Sequence, residues 1–182
     1  MKQTLIRSDY FYTITAACGK VMEAVETTDN GAAVQLGNYE KKASQQWSFV
    51  REGDGVYRIK NRATGKLIDL VMNGTVNGTW LHMWEDVSGS SQLWIMERTN
   101  DGCVKFKAQC ANTKCIDLVD MNTEAGARLQ IWEDVNGENQ LWTIEKVPAE
   151  KKTRTTKKAV AEGETVAKKP RTRKTAAKKA AE

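Results

Sequence analysis

Histidine is nearly missing from this chain: its 182 residues include one, His82. A lone histidine supports no Ser/His/Asp constellation. With no cysteine pair beside it, it supports no metal-ligand cluster either. The four cysteines (Cys18, Cys103, Cys110 and Cys115) form no CxxC and do not recur in register. They read as reduced, small, core-filling residues rather than a zinc or redox centre. No glycine-rich loop has phosphate-cradling spacing. No apolar run approaches the roughly 20 residues that cross a bilayer. Arg7, Ser8 and Asp9 interrupt the apolar stretch of roughly 7 to 15 residues that a secretory signal would need. These absences predict no cofactor, no membrane span and no catalysis; a paired-carboxylate hydrolase is the one enzymatic reading they leave open. They also predict a cytoplasmic location, with unconventional release as the alternative.

Charge is unevenly spread. Residues 148–182 hold 12 Lys or Arg and 4 Glu, a net of +8, which leaves −3 for residues 1–147. All six tryptophans and all four cysteines precede residue 148. The stretch "KKTRTTKKAVAEGETVAKKPRTRKTAAKKAAE" has almost no large apolar side chains, so burial cannot offset its ordering entropy, and it is expected to be a disordered tail. Its charge suits nucleic acid or another polyanion, bound with little sequence preference and a strong dependence on salt. It lacks interleaved aromatics, so base stacking is not expected.

Residues 1–147 repeat. "WLHMWEDVSGSSQLWIM" (80–96) lies over "RLQIWEDVNGENQLWTI" (128–144): Trp84 matches Trp132, Gln92 matches Gln140 and Trp94 matches Trp142, each 48 residues on. "LIDLV" (67–71) matches "CIDLV" (115–119) at the same spacing. A fainter copy ends at "QQW" (45–47), where Gln45 makes the strict Gln-x-Trp. Periods of this length mark repeat architectures. Within a copy, "GVYRIKNRATGKLIDLV" (55–71) alternates, turns at "NRATG" where Gly65 supplies a positive φ, and resumes at Leu67. "WLHMWED" and "SQLWIM" read as two more strands. No segment before residue 148 sustains a helical period. The prediction is an all-β fold of three pseudo-threefold repeats, about four strands each, closed so that few edges are exposed.

Three in-phase Gln-x-Trp signatures with in-phase "ID" and "WED" resemble the ricin B-type lectin domain, a β-trefoil. The resemblance covers about residues 5–147 and implies a domain at 1–147 followed by a tail at 148–182. It places Trp47, Trp94 and Trp142 in the shared core and implies binding of glycans, galactose-type or xylose-type, by a monomer. In repeat three it assigns Asp117, Gln130, Trp132, Asn139 and Gln140 to a sugar site, with every family position filled by the expected type. The chemistry fits. A pyranose offers C–H bonds on one face for an indole, and hydroxyls at its edge for a carboxylate and amides. Repeat two carries Asp69, His82, Trp84 and Gln92, with His82 in place of the glutamine and Ser91 in place of the asparagine. Repeat one has Glu23 for the aspartate and Gly37 for the platform. Gln35 is retained, Tyr39 stands nearby, and the resemblance implies scaffold only. The bland readings are that Asp69 and Asp117 cap turns, that Trp84 and Trp132 pack under loops, and that His82 is structural. Two functions therefore compete: a carbohydrate-binding module, or a scaffold whose tail binds polyanions.

Overall fold

A computed structural model describes residues 6–148. All but the first residue of the basic tail, and with it the expected disorder, lie outside the described residues. Within them are twelve strands and no α-helix. Repeat one contributes β1 (Tyr12–Ala16), β2 (Val21–Ala24), β3 (Ala32–Gly37) and β4 (Trp47–Gly53). Repeat two contributes β5 (Val56–Asn61), β6 (Leu67–Leu70), β7 (Thr79–Trp84) and β8 (Trp94–Arg98). Repeat three contributes β9 (Val104–Ala108), β10 (Ala111–Leu118), β11 (Leu129–Glu133) and β12 (Trp142–Lys146).

The first and fourth strand of each repeat build a ring. Strand β1 pairs with β4, β4 with β5, β5 with β8, β8 with β9, β9 with β12, and β12 returns to β1, all antiparallel. The barrel is closed, so these strands leave no free edge. The remaining hairpins, β2–β3, β6–β7 and β10–β11, form a cap. They join at its centre, where β3 meets β7, β7 meets β11, and Gln35 bridges Arg128. This is the β-trefoil, with four strands per repeat as the sequence predicts.

The hairpin turns follow from local chemistry. Gly65 adopts φ +69°, and its amide donates to the Asn61 carbonyl at 2.9 Å. The Asn61 side chain accepts from the Ala63 and Thr64 amides at 3.0 and 3.3 Å, a turn built from an amide side chain.

The predicted core tryptophans are where the repeat phase puts them. Trp47, Trp94 and Trp142 are each 0% exposed. Each indole N–H donates to a carbonyl of its own repeat's second strand: Met22 at 3.0 Å, Ile68 at 3.1 Å and Ile116 at 3.3 Å. One residue thus fills the core and ties barrel to cap. Burying an indole is worth roughly 4 to 6 kcal/mol by area, an upper bound. Tyr12, Phe49 and Phe106 pack among them, Phe49 stacking on Phe106 at 6.1 Å.

Two expectations need correction. The glutamine of each Gln-x-Trp is not on a strand. Gln45, Gln92 and Gln140 each end a 3₁₀ turn (Ala43–Gln45, Ser90–Gln92, Glu138–Gln140), which aims the amide at the cap. The cysteines are all free, but Cys115 alone is buried; Cys103 and Cys110 are half-buried and Cys18 is exposed. Cysteine packs readily in cores, yet at these three positions the turn or strand edge faces water.

Candidate functional site

The same hydrogen-bond unit recurs in every repeat. Gln140 Nε2 donates to Asp117 Oδ2 at 2.9 Å and to the Glu133 carbonyl at 2.8 Å, and Gln140 Oε1 accepts from the Val135 amide at 3.1 Å. Gln92 does the same with Asp69 Oδ2 at 2.9 Å, the Glu85 carbonyl at 2.7 Å and the Val87 amide at 3.2 Å. Gln45 does so with Glu23 Oε2 at 2.8 Å, the Asn38 carbonyl at 2.6 Å and the Glu40 amide at 2.8 Å. All three glutamines are 0% exposed. Each fixes one carboxylate on the outer face of the cap and anchors the loop beside it.

Repeat three is the most complete. Asp117 on β10 lies opposite Gln130 on β11, and Cys115 lies opposite Trp132. Opposed residues share a face of the sheet. Gln130 donates to Asp117 Oδ1 at 3.1 Å, and Asn139 donates to Oδ2 at 2.7 Å. Three amides therefore converge on one buried carboxylate. A carboxylate has about four lone-pair sites, so acceptor capacity remains on Oδ1. Burial pushes the Asp117 carboxyl above its ordinary 3.8, against the pull of Gln130, Gln140 and Asn139. Trp132, two residues from Gln130 on the same face, is 40% exposed. A cleft of about 460 Å³ adjoins through Asn139 and Leu118, with Cys18, Met121 and Thr123 on its other sides.

Repeat two is looser. Asp69 lies opposite His82, but Asp69 Oδ1 has no hydrogen-bond partner, and neither does Ser91 Oγ. His82 stacks on Trp84 at 5.0 Å and 25° and does not replace the glutamine's bond. Burial lowers the His82 pKa below 6.5, Asp69 pulls it up, and Arg128 pushes it further down. Asp69, His82, Trp84, Val87, Met72 and Asn73 line a cleft of about 420 Å³.

Repeat one is filled from inside. A Cβ on Gly37 would collide with the Glu23 carboxylate. The longer acid reaches into the space where the other repeats keep their indole. Tyr39 stays 45% exposed.

Three features escape a reading of the sequence. Met72 and Asn73 after β6, and Asp120 and Met121 after β10, have φ between +53° and +55°. The paired left-handed residues turn an exposed methionine into the wall of each cleft, and methionine gives no sign of such a conformation in sequence. The "WED" acids do form turns, Asp86 accepting from the Ser88 amide at 2.9 Å and Asp134 from the Asn136 amide at 3.1 Å. They also pair with buried cations, Asp86 with Arg58 at 3.5 Å and Asp134 with Lys105 at 2.6 Å. Burial alone would raise Asp134, but Lys105, the Asn136 amide and Lys107 outweigh it and hold that carboxyl below the usual range. Lastly, Trp80 lies opposite Gln130 and is 49% exposed.

Among the described residues no cluster of His, Cys, Asp and Glu could hold a metal, and no helix is long and apolar enough to cross a membrane.

The chain is similar to several solved structures. A designed threefold-symmetric protein, ThreeFoil, matches with 29% identity and a TM-score of 0.72, over 74% of this chain and 96% of that one. An exo-beta-1,3-galactanase from Clostridium thermocellum matches with 28% identity and a TM-score of 0.74, over 79% of this chain but 31% of the galactanase. The Macrolepiota procera ricin B-like lectin, solved with lactose, shares the fold at 23% identity and a TM-score of 0.67, over 78% of this chain and 99% of that lectin. No curated protein sequence matches the chain closely enough to count as a relative. The family model for the ricin-type beta-trefoil lectin domain-like group matches residues 4–84 and 86–165. With that match over most of its length, and with the closed barrel and threefold cap behind it, the chain belongs to the ricin-type β-trefoil lectin-like family.

Proposed function

We propose that residues 6–148 form a non-catalytic carbohydrate-binding module whose main site lies in repeat three. One observation carries the reading: the Asp117 carboxylate is held by Gln130, Asn139 and Gln140 on the same cap face as a half-exposed indole, Trp132. A sugar's apolar face stacks on Trp132 while its edge hydroxyls donate to Asp117 and exchange bonds with Gln130 and Asn139. Gln140 is fully buried and acts by positioning Asp117. In repeat two, Asp69, His82 and Trp84 make a second, altered site, positioned by Gln92. Repeat one has no room for a ligand. The lactose-bound fungal lectin and the galactanase favour galactose-type sugars as the first to test. A single shallow site of this kind binds on the order of millimolar, and two sites on one body raise avidity on clustered glycans.

The test is a titration of the chain with galactose, lactose, N-acetylgalactosamine, xylose and xylose oligomers, followed by tryptophan fluorescence or NMR. Saturable binding lost in both Trp132→Ala and Asp117→Ala supports the reading. No response to any sugar, with the protein folded, refutes it.

A second reading rests on the charge of +8 in residues 148–182. We propose that this segment binds polyanions electrostatically. Binding to DNA or RNA that falls steeply with salt supports this, and equal binding by residues 1–147 alone would overturn it.

A further inference from the structure

The centre of the cap holds a pair that no sugar site yet described uses. Each cap hairpin places one residue opposite the glutamine position of a neighbouring repeat. Ala33 lies opposite His82, Trp80 opposite Gln130, and Arg128 opposite Gln35. These positions are equivalent under the pseudo-threefold and surround its axis, yet they carry three unlike side chains. The Arg128 guanidinium lies over the Trp80 ring, 4.4 Å from its centre. Arg128 is half-buried, and its Nε is buried without a hydrogen-bond partner. Among the described residues no carboxylate pairs with it. The acids of the three cap hairpins' glutamine units bond amides instead: Asp117 accepts from three, Glu23 from Gln45, and Asp69 from Gln92 through Oδ2 alone. A partly desolvated cation without a counter-charge gains from an anion brought to it.

Position says which anion. Asp117, Gln130 and Trp80 form one cross-strand row, on β10, β11 and β7. The ends of the row are two strand spacings apart, about 10 Å, which is the reach of a disaccharide. We propose that Trp80 and Arg128 form a subsite for the second, negatively charged unit of an acidic glycan whose first unit sits at the repeat-three site. The indole holds the guanidinium over its face. The anion, a carboxylate or sulfate on the sugar, supplies the missing partner. This subsite rests on the repeat-three reading and adds a selectivity that a neutral site lacks.

The test uses the full chain and two matched pairs at low salt: lactitol against lactobionate, and xylobiose against glucuronosyl-xylose. In each pair only the second member carries a carboxylate on the unit beyond the first; a sulfated lactose asks whether sulfate serves as well. The acidic member of the pair that binds should bind about two- to fivefold tighter, the range of an exposed charge pair. Arg128→Gln should abolish that difference, Arg128→Lys should keep part of it, and Trp80→Ala should reduce it by releasing the guanidinium. Equal binding of acidic and neutral members overturns the subsite while leaving the repeat-three site standing. A preference that survives Arg128→Gln also overturns it, because another cation, such as the basic tail, then supplies the charge. Absence of binding by every member overturns the subsite and the repeat-three reading together.

Discussion

The Glu23 carboxylate sits where a side chain on Gly37 would begin. The acid that is one methylene longer than its counterparts, Asp69 and Asp117, fills the vacancy left by the missing indole and still reaches Gln45 at 2.8 Å. Gly37→Ala should therefore displace Glu23 from Gln45 and cost about 1 to 2 kcal/mol. Shortening the acid as well, in Glu23→Asp/Gly37→Ala, should recover most of that loss. Urea unfolding of the two variants decides: equal stability of the single and double variants would mean the acid does not own that space.

Trp132 and Trp142 are ten residues apart but should behave as opposites. Trp142 is 0% exposed and Trp132 is 40% exposed. Trp142→Ala should cost about 3 to 5 kcal/mol. Trp132→Ala should stay within about 0.5 kcal/mol of the parent and lose sugar binding instead. Thermal unfolding read beside a sugar titration separates them.

Sugar affinity should fall on acidification earlier than an ordinary aspartate would dictate. Burial raises the Asp117 carboxyl above 3.8, so it takes up its proton at a higher pH. The protonated acid loses an acceptor for sugar hydroxyls. Titrations from neutral pH downward should show affinity falling before pH reaches 3.8 while the protein is still folded.

His82 gives repeat two a separate acid response. Burial lowers its pKa below 6.5, against Asp69 and with Arg128, so the unfolded chain binds that proton more readily than the fold does. Stability is full above 6.5 and declines as pH falls through the lower folded value. His82→Gln removes that slope and gives the unpartnered Asp69 Oδ1 a donor. Adding Ser91→Asn supplies the second amide. The double variant should bind sugar at repeat two more tightly than the parent, read as a second step in an NMR titration.

The cysteines should divide by access. Cys18 is exposed, while the Cys115 thiol is buried and pushed up to about 12. A thiol reagent at neutral pH should modify Cys18 rapidly and reach Cys115 only after unfolding, as peptide mapping would show.

Much of this was legible because the chain states its pattern three times. The phase of Gln45, Gln92 and Gln140 against Trp47, Trp94 and Trp142 was enough to place the core indoles and to prefer Gln45 over Gln46. What remained hidden depends on contacts between residues distant in the sequence and on local backbone conformation. Trp80 looks like an ordinary strand residue until β7 meets β11 and sets it opposite Gln130. Asp86 and Asp134 give no sign of their buried partners, Arg58 and Lys105, which differ in type and lie 28 and 29 residues earlier (86 − 58 and 134 − 105). Met72 and Met121 carry no mark of the left-handed backbone they adopt.

The ring that joins β12 to β1 over Tyr12 to Lys146 also governs when the domain can come into being. A ribosome that has released only two repeats has released an open arc, with β1 lacking β12 and β8 lacking β9. The repeat-three carboxylate waits on Gln140, and the last core indole on Trp142. Closure joins the two ends of the domain, so the loop-entropy cost comes late and in one step. Assembly should accordingly be slow and all-or-none, and an emerging chain has no functional fragment to use before its final strand arrives.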